Sequence, residues 1–142
     1  MADAAPTFHG LHMFVRDMPA TLAFYRHLGL TFAPEADSEV HNRIALPNGT
    51  ILAFGTYALT RGYDPRFREP AGGPTNTLQF DLESRAAVDA IYAELTGAGY
   101  AGHIPPWDAF WGSRYAEVED PDGNIVGFHS PVDPALRSAT PI

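Results

Sequence analysis

The chain repeats itself, and that repeat constrains its fold more than any other feature. Pro47-Asn48-Gly49-Thr50-Ile51-Leu52-Ala53-Phe54 aligns without a gap with Pro121-Asp122-Gly123-Asn124-Ile125-Val126-Gly127-Phe128. Each copy is an Asn-Gly or Asp-Gly turn feeding a short apolar strand, a strong local hairpin signal. Upstream, Phe14-Val15-Arg16-Asp17 and Phe80-Asp81-Leu82-Glu83-Ser84 each lead into a helical pattern. Asp17 and Ser84 are the expected N-caps, Pro19 falls in a first turn, and Gly29 in one copy and Gly97 and Gly99 in the other end the helices. Leu22, Tyr25 and Leu28 form one apolar stripe; Val88, Ile91 and Leu95 form the other.

Each half therefore reads strand–helix–strand–strand–strand. The expected strands cover 8–15, 31–33, 39–46 and 50–55, then 75–82, 100–104, 113–119 and 124–130. The fold class is α+β: two tandem βαβββ modules forming a curved, cup-like mixed sheet. One domain of 142 residues is expected. Module one covers about 8–56, a connecting flap 57–74, module two about 75–131, and a loose tail 132–142.

Composition narrows the function classes. Apolar residues at 45% and charged residues at 18% describe a globular chain, and 13 Gly with 13 Pro suit many short strands joined by turns. The absence of cysteine removes disulfides, thiolate nucleophiles and thiolate metal sites. Nine basic residues, all Arg, against seventeen acidic ones give a net charge of −8, which argues against nucleic acid and anionic membranes as partners. That balance modestly favours a neutral or cationic ligand at encounter. The first residues, MADAAPTFHG, lack the basic and apolar regions of a signal peptide, and no apolar run reaches a membrane span, so a cytoplasmic location is expected.

Strand alternation sorts the side chains by face. Leu11, Met13 and Val15 belong under the first helix, leaving Gly10, His12, Phe14 and Arg16 on the opposite face. Leu78, Phe80 and Leu82 belong under the second, leaving Thr77, Gln79 and Asp81 opposite. His41 and Arg43, Tyr115 and Glu117, and Ile125, Gly127 and His129 share those outward faces. Arg43 and Arg16 are expected to pair with Glu117 and Asp81 or to hold anionic parts of a ligand. No Gly-x-Ser-x-Gly elbow, Walker loop or dinucleotide fingerprint is present, and His9 and His103 receive no role.

The tandem modules, with FYRHLGL on the first helix and DPDGNIVGF near the end, resemble the vicinal-oxygen-chelate superfamily of glyoxalases, extradiol dioxygenases and bleomycin-resistance proteins. The stretch GYDPRF…EPAGG…YAELTGAGYAGHIPPWDAFWGSRYAEVEDPDGN is most similar to mitomycin-binding resistance proteins and related antibiotic-sequestering members. The resemblance implies metal-ligand positions on four strands, which fall here at Gly10, Ala53, Thr77 and Gly127. Gly and Ala cannot ligate through a side chain, so no metal is expected. A displaced divalent-metal set of His12, Gln79 and His129, about 7 Å along the strands, is the alternative.

The expected function is therefore binding of a small aromatic ligand or antibiotic without chemistry and without a cofactor. Trp107 and Trp111, placed in a proline-led loop after Pro105-Pro106, are the expected stacking partners. His41, Tyr115, Arg43, Phe14, His12 and His129 complete the expected ligand-binding set. The competing reading is an enzyme of the same superfamily, either metal-dependent through His12 and His129 or a metal-free isomerase or cyclase using Tyr115, His41 or Glu117. A homodimer is expected, because such modules leave sheet edges that need cover.

Overall fold

A computed structural model describes residues 5–141. The elements run β1 (Gly10–Val15), α1 (Met18–His27), β2 (His41–Ala45), β3 (Ile51–Thr56), α2 (Tyr57–Tyr63), β4 (Thr77–Asp81), α3 (Arg85–Gly97), β5 (Gly102–Asp108), β6 (Arg114–Glu119) and β7 (Ile125–His129). They form two compact units: residues up to Arg26 with Leu30–Ala71, and His27–Gly29 with Gly72 onward. The first holds a three-stranded sheet in the order β1-β3-β2, the second a four-stranded sheet in the order β4-β7-β6-β5. The α+β class and the two-module plan hold.

The repeat is kept in the registers. In both sheets the first strand runs parallel to the last strand of its module, Gly10 opposite Ile51 and Thr77 opposite Ile125. The hairpin partner is antiparallel, Ala45 opposite Ile51 and Glu119 opposite Ile125. The helix starts follow the expected chemistry. Asp17 Oδ1 accepts from Ala20 N at 3.2 Å and Ser84 Oγ from Ala87 N at 3.0 Å, each satisfying a donor the first turn leaves free.

In the first unit Met13, Val15, Leu22, Phe24, Tyr25, Leu52 and Phe54 are buried, with the Tyr25 and Phe54 rings 5.2 Å apart. In the second, Val88 and Leu95 of α3 are buried, as are Ala116, Val118, Val126 and Phe128 of the sheet. Each such large aliphatic or aromatic side chain contributes about 1.5–3 kcal/mol on leaving water, which fixes the faces and hence the site.

Several expectations are corrected. Residues 31–33 form no strand, so the first module is βαββ. Arg26 Nη2 donates to the carbonyls of Phe32 (3.3 Å) and Ala33 (3.1 Å), which a strand would offer to a neighbour, and Pro34–Ser38 turns as a 3-10 helix. Leu11, near the start of an edge strand, is 41% exposed rather than buried. The connection 57–74 opens with α2, whose cap is Thr56 Oγ1 accepting from Leu59 N. Pro105, Pro106 and Trp107 lie in β5, not in a loop; β5 is an edge strand with two register shifts, where proline's missing donor is tolerated. Part of the tail is docked rather than loose: Asp133 N donates to Gly112 O (2.9 Å) and Ser138 N to Phe110 O (2.8 Å) around a 3-10 turn at Pro134–Leu136.

Candidate functional site

On the first unit's sheet, the face turned away from Tyr25 is a grid of three rungs. Gly10, Ile51 and Ala45 share one rung, His12, Ala53 and Arg43 the next, and Phe14, Gly55 and His41 the third. Ala53 and Gly55 on the central strand make a floor between taller neighbours. The His12 and His41 rings stack 5.4 Å apart with planes 21° from parallel, and a Cβ added at Gly55 would come 2.8 Å from the His12 ring. Phe14, 40% exposed, meets His12 edge-on at 5.8 Å and Phe67 at 5.2 Å. A cleft of about 170 Å³ opens beside the first two rungs, lined among others by His9, His12, His41 and Arg43.

Burial and the neighbouring His41 both hold the His12 pKa below its ordinary value, because each penalises the charged imidazolium. Arg43 has no hydrogen-bond or ion-pair partner among the described residues. Glu117, expected beside it, is instead engaged within its own unit. Arg16 lies 5.6 Å over the Tyr57 ring.

The second unit repeats the grid with other chemistry. Thr77, Ile125 and Glu119 share the first rung, Gln79, Gly127 and Glu117 the second, and Asp81, His129 and Tyr115 the third. Tyr115 is only 4% exposed, and its hydroxyl donates to Glu117 Oε2 at 2.6 Å while accepting from Gln79 Nε2 at 3.4 Å. Burial, then the Glu117 carboxylate, pushes its phenol up to about 12, with Gln79 pulling the other way. Tyr115 therefore stays protonated at neutral pH and serves as a donor, not a base. His103 Nε2 stands 3.9 Å from the other oxygen of Glu117.

An aromatic file runs along this face. Trp107 meets Trp111 edge-on at 5.7 Å, Trp111 meets Tyr115 at 5.3 Å, and Tyr115 meets His129 at 4.6 Å. The two indoles differ in setting. Trp107, opposite Tyr115 in the β5–β6 ladder, is 37% exposed. Trp111 is half-buried, packs on Phe110 at 5.0 Å, and keeps a buried indole N–H with no acceptor. Its turn is held by the tail, Arg137 Nε donating to Trp111 O at 3.3 Å. The Trp107 end is anchored by Asp108, which takes Arg85 at 2.6 Å and Arg114 at 3.2 Å, and those cations hold its carboxyl below the usual range.

The expected ligand-binding residues thus fall into two groups: His12, Phe14, His41 and Arg43 in the first unit, Trp107, Trp111, Tyr115 and His129 in the second. The sequence reading missed Phe67, Phe110 and His9. Phe67 sits in the segment taken as a flap and Phe110 between the two Trp residues, so aromatic spacing around the named residues was the usable signal.

The positions 10, 53, 77 and 127 do not fit a divalent metal. Thr77 alone carries a polar side chain, and a hydroxyl is no usual ligand for one. At Gly10 a Cβ would lie 2.0 Å from the Ile51 carbonyl oxygen, so no side chain can stand there; at Gly127 it would lie 2.4 Å from the Tyr115 hydroxyl, which fills the place. In the displaced set, His12 is stacked on His41, Gln79 is bonded to Tyr115, and His129 packs on Tyr115 and Trp111. Among the described residues no three His, Asp or Glu side chains gather as a metal cluster.

Residues 7–128 match the family model described as the Glyoxalase/Bleomycin resistance protein/Dioxygenase superfamily. Among solved structures, a glyoxalase/bleomycin resistance protein/dioxygenase family enzyme of Burkholderia phytofirmans aligns with TM-score 0.75 at 19% identity, over 88% of this chain and 98% of that one. A glyoxalase-related enzyme of Fulvimarina pelagi gives 0.73 at 21% over 96% and 98%. A glyoxalase/bleomycin resistance protein/dioxygenase of Nocardioides gives 0.70 at 24% over 99% and 90%. At these identities the likeness is one of fold. No curated protein matches. No helix among the described residues is long and apolar enough to cross a membrane.

Proposed function

This chain belongs to the glyoxalase/bleomycin resistance protein/dioxygenase superfamily, and from that premise we propose that it binds and sequesters a small aromatic ligand, an antibiotic or related natural product, without transforming it. The observation that carries the reading is the loss of the metal positions: Gly10 cannot accept a side chain, and Tyr115 occupies the place a ligand at Gly127 would need. A member of this family without ligands on its strands keeps the binding face and lacks the electrophile. The exposed edge of Trp107, backed by Trp111 and Tyr115, suits a flat ring, since aromatic pairs contribute about 0.5–1.5 kcal/mol beyond burial. The resemblance of the stretch from GYDPRF to DPDGN to mitomycin-binding resistance proteins, read from the sequence, supports the same class of ligand.

In this reading the protein is cytoplasmic, needs no cofactor, and works as a homodimer whose partner covers a sheet edge; β1, β2, β4 and β5 are the edge strands. Sedimentation at high concentration should give twice the chain mass. The competing reading is a metal-free isomerase or cyclase, favoured by the 2.6 Å bond between Tyr115 and Glu117. Against it, a phenol pushed up to about 12 gives up its proton poorly. The deciding experiment incubates the protein with mitomycin C and a panel of planar aromatic natural products, with and without EDTA, and recovers the ligand. The proposal expects stoichiometric retention of an unchanged compound regardless of chelator. A product of altered mass or isomeric form, made catalytically, overturns it.

A further inference from the structure

We infer that the first unit's cleft is a carboxylate subsite: Arg43 and His12 take the anionic head of an organic acid whose apolar body lies along Ile51. The inference rests on the reading above that the chain is a small-molecule binder, and it concerns a cleft that lies wholly within the first unit. The cleft is lined by a guanidinium and three imidazoles and by no carboxylate. Arg43 has no partner among the described residues, whereas Arg26, Arg61, Arg85 and Arg114 are each ion-paired; the Arg66 and Arg68 side chains share that lack, but only Arg43 lines the cleft. A guanidinium projecting from the middle of a strand beside a cleft, with its five donors unused, presents a fork that matches a carboxylate.

The rungs explain why an organic acid fits better than a bare inorganic anion. His12 and Arg43 flank Ala53 on one rung, while the next carries Gly10, Ile51 and Ala45, so a cationic end runs straight into an apolar one. Phosphate would use only the first. Burial, and then the stacked His41 ring, disfavour a charge on His12, and an anion bound between His12 and Arg43 offsets that penalty. The overall charge of −8 is largely screened beyond about 8 Å at physiological salt, so distant carboxylates oppose an anion in the cleft only weakly. The cleft lining holds the Arg43 guanidinium and no carboxylate to offset it.

The test is an NMR titration of the full chain with benzoate, benzamide and cyclohexanecarboxylate, following the Ala53 and Gly55 amides. Benzoate should shift both saturably, benzamide should bind at least about tenfold more weakly, and Arg43→Ala should weaken benzoate by about tenfold or more while its melting temperature stays put. Benzamide binding as tightly as benzoate overturns the carboxylate assignment and leaves aromatic binding standing. Cyclohexanecarboxylate matching benzoate, with the same dependence on Arg43, upholds the carboxylate and counts against the aromatic requirement. Benzoate that shifts neither amide, or binds Arg43→Ala as well as the parent, sinks the inference.

Discussion

Position for position, His12, Arg43, His41 and Gly55 in the first unit answer to Gln79, Glu117, Tyr115 and His129 in the second. The backbone registers are the same, yet one grid carries a guanidinium and two stacked imidazoles and the other a carboxylate bonded to a phenol. In the first unit the glycine on the central strand lies under the end of an exposed imidazole; in the second, Gly127 lies under a buried hydroxyl already committed to Glu117 and Gln79. A duplicated fold thus supplies one open face with an unspent guanidinium and one face on which Tyr115, Glu117 and Gln79 are bonded to one another. The unspent guanidinium belongs to the first unit and the packed aromatic file to the second.

The sharpest way to break this contrast is to add one methyl group to each floor. Gly127→Ala should destabilise by about 1–3 kcal/mol, because the new Cβ displaces Tyr115 from a packed network. Gly55→Ala should stay within about 1 kcal/mol of the parent, since the exposed His12 ring can swing aside. Thermal melts of the two variants check it, and equal losses would mean that both faces are packed alike.

A somewhat smaller difference is expected from the matched pair Tyr115→Phe and His41→Ala. The first strips the half-buried Glu117 of its donor and should cost about 1–2 kcal/mol; the second should cost less than about 0.5 kcal/mol. Tyr115 also predicts an alkaline signature. Its folded phenol, pushed up to about 12, holds a proton that the unfolded chain releases near 10, so stability is complete below 10 and falls as pH rises from there to about 12. Tyr115→Phe should flatten that fall and remove the late step from the tyrosinate absorbance titration.

The smallest effect lies on the acid side. The His12 pKa is lowered from its ordinary 6.5, so below that value the unfolded chain binds a proton the folded chain resists. Stability should therefore decline as pH falls through the region just under 6.5, and His12→Gln should reduce the slope. A parent whose melting temperature rises on acidification there would contradict the placement of the His12–His41 pair.

Much of this was legible in the sequence, for identifiable reasons. The turn-plus-strand repeat fixed the pairing of each module, because Asn-Gly and Asp-Gly admit few backbone paths, and alternation then put His12, His41, Arg43, Tyr115 and His129 on the correct faces. What escaped depends on side chains that act at a distance in sequence. Arg26 claims the carbonyls that 31–33 would have paired, the edge position of β5 lets Pro105 and Pro106 lie in a strand, and the tail docks through backbone bonds that composition does not signal. The unlike settings of Trp107 and Trp111 follow from those last two features, so periodicity alone left the two indoles equivalent.

The central functional claim is reached most directly by titrating intrinsic Trp fluorescence with planar aromatic compounds, in the parent and in Trp107→Ala. Saturable quenching is expected in the parent, with binding weakened at least about tenfold in Trp107→Ala at unchanged melting temperature, since losing a stack and its buried area exceeds about 1.4 kcal/mol. A folded Trp107→Ala that binds every quenching compound as tightly as the parent would contradict the account.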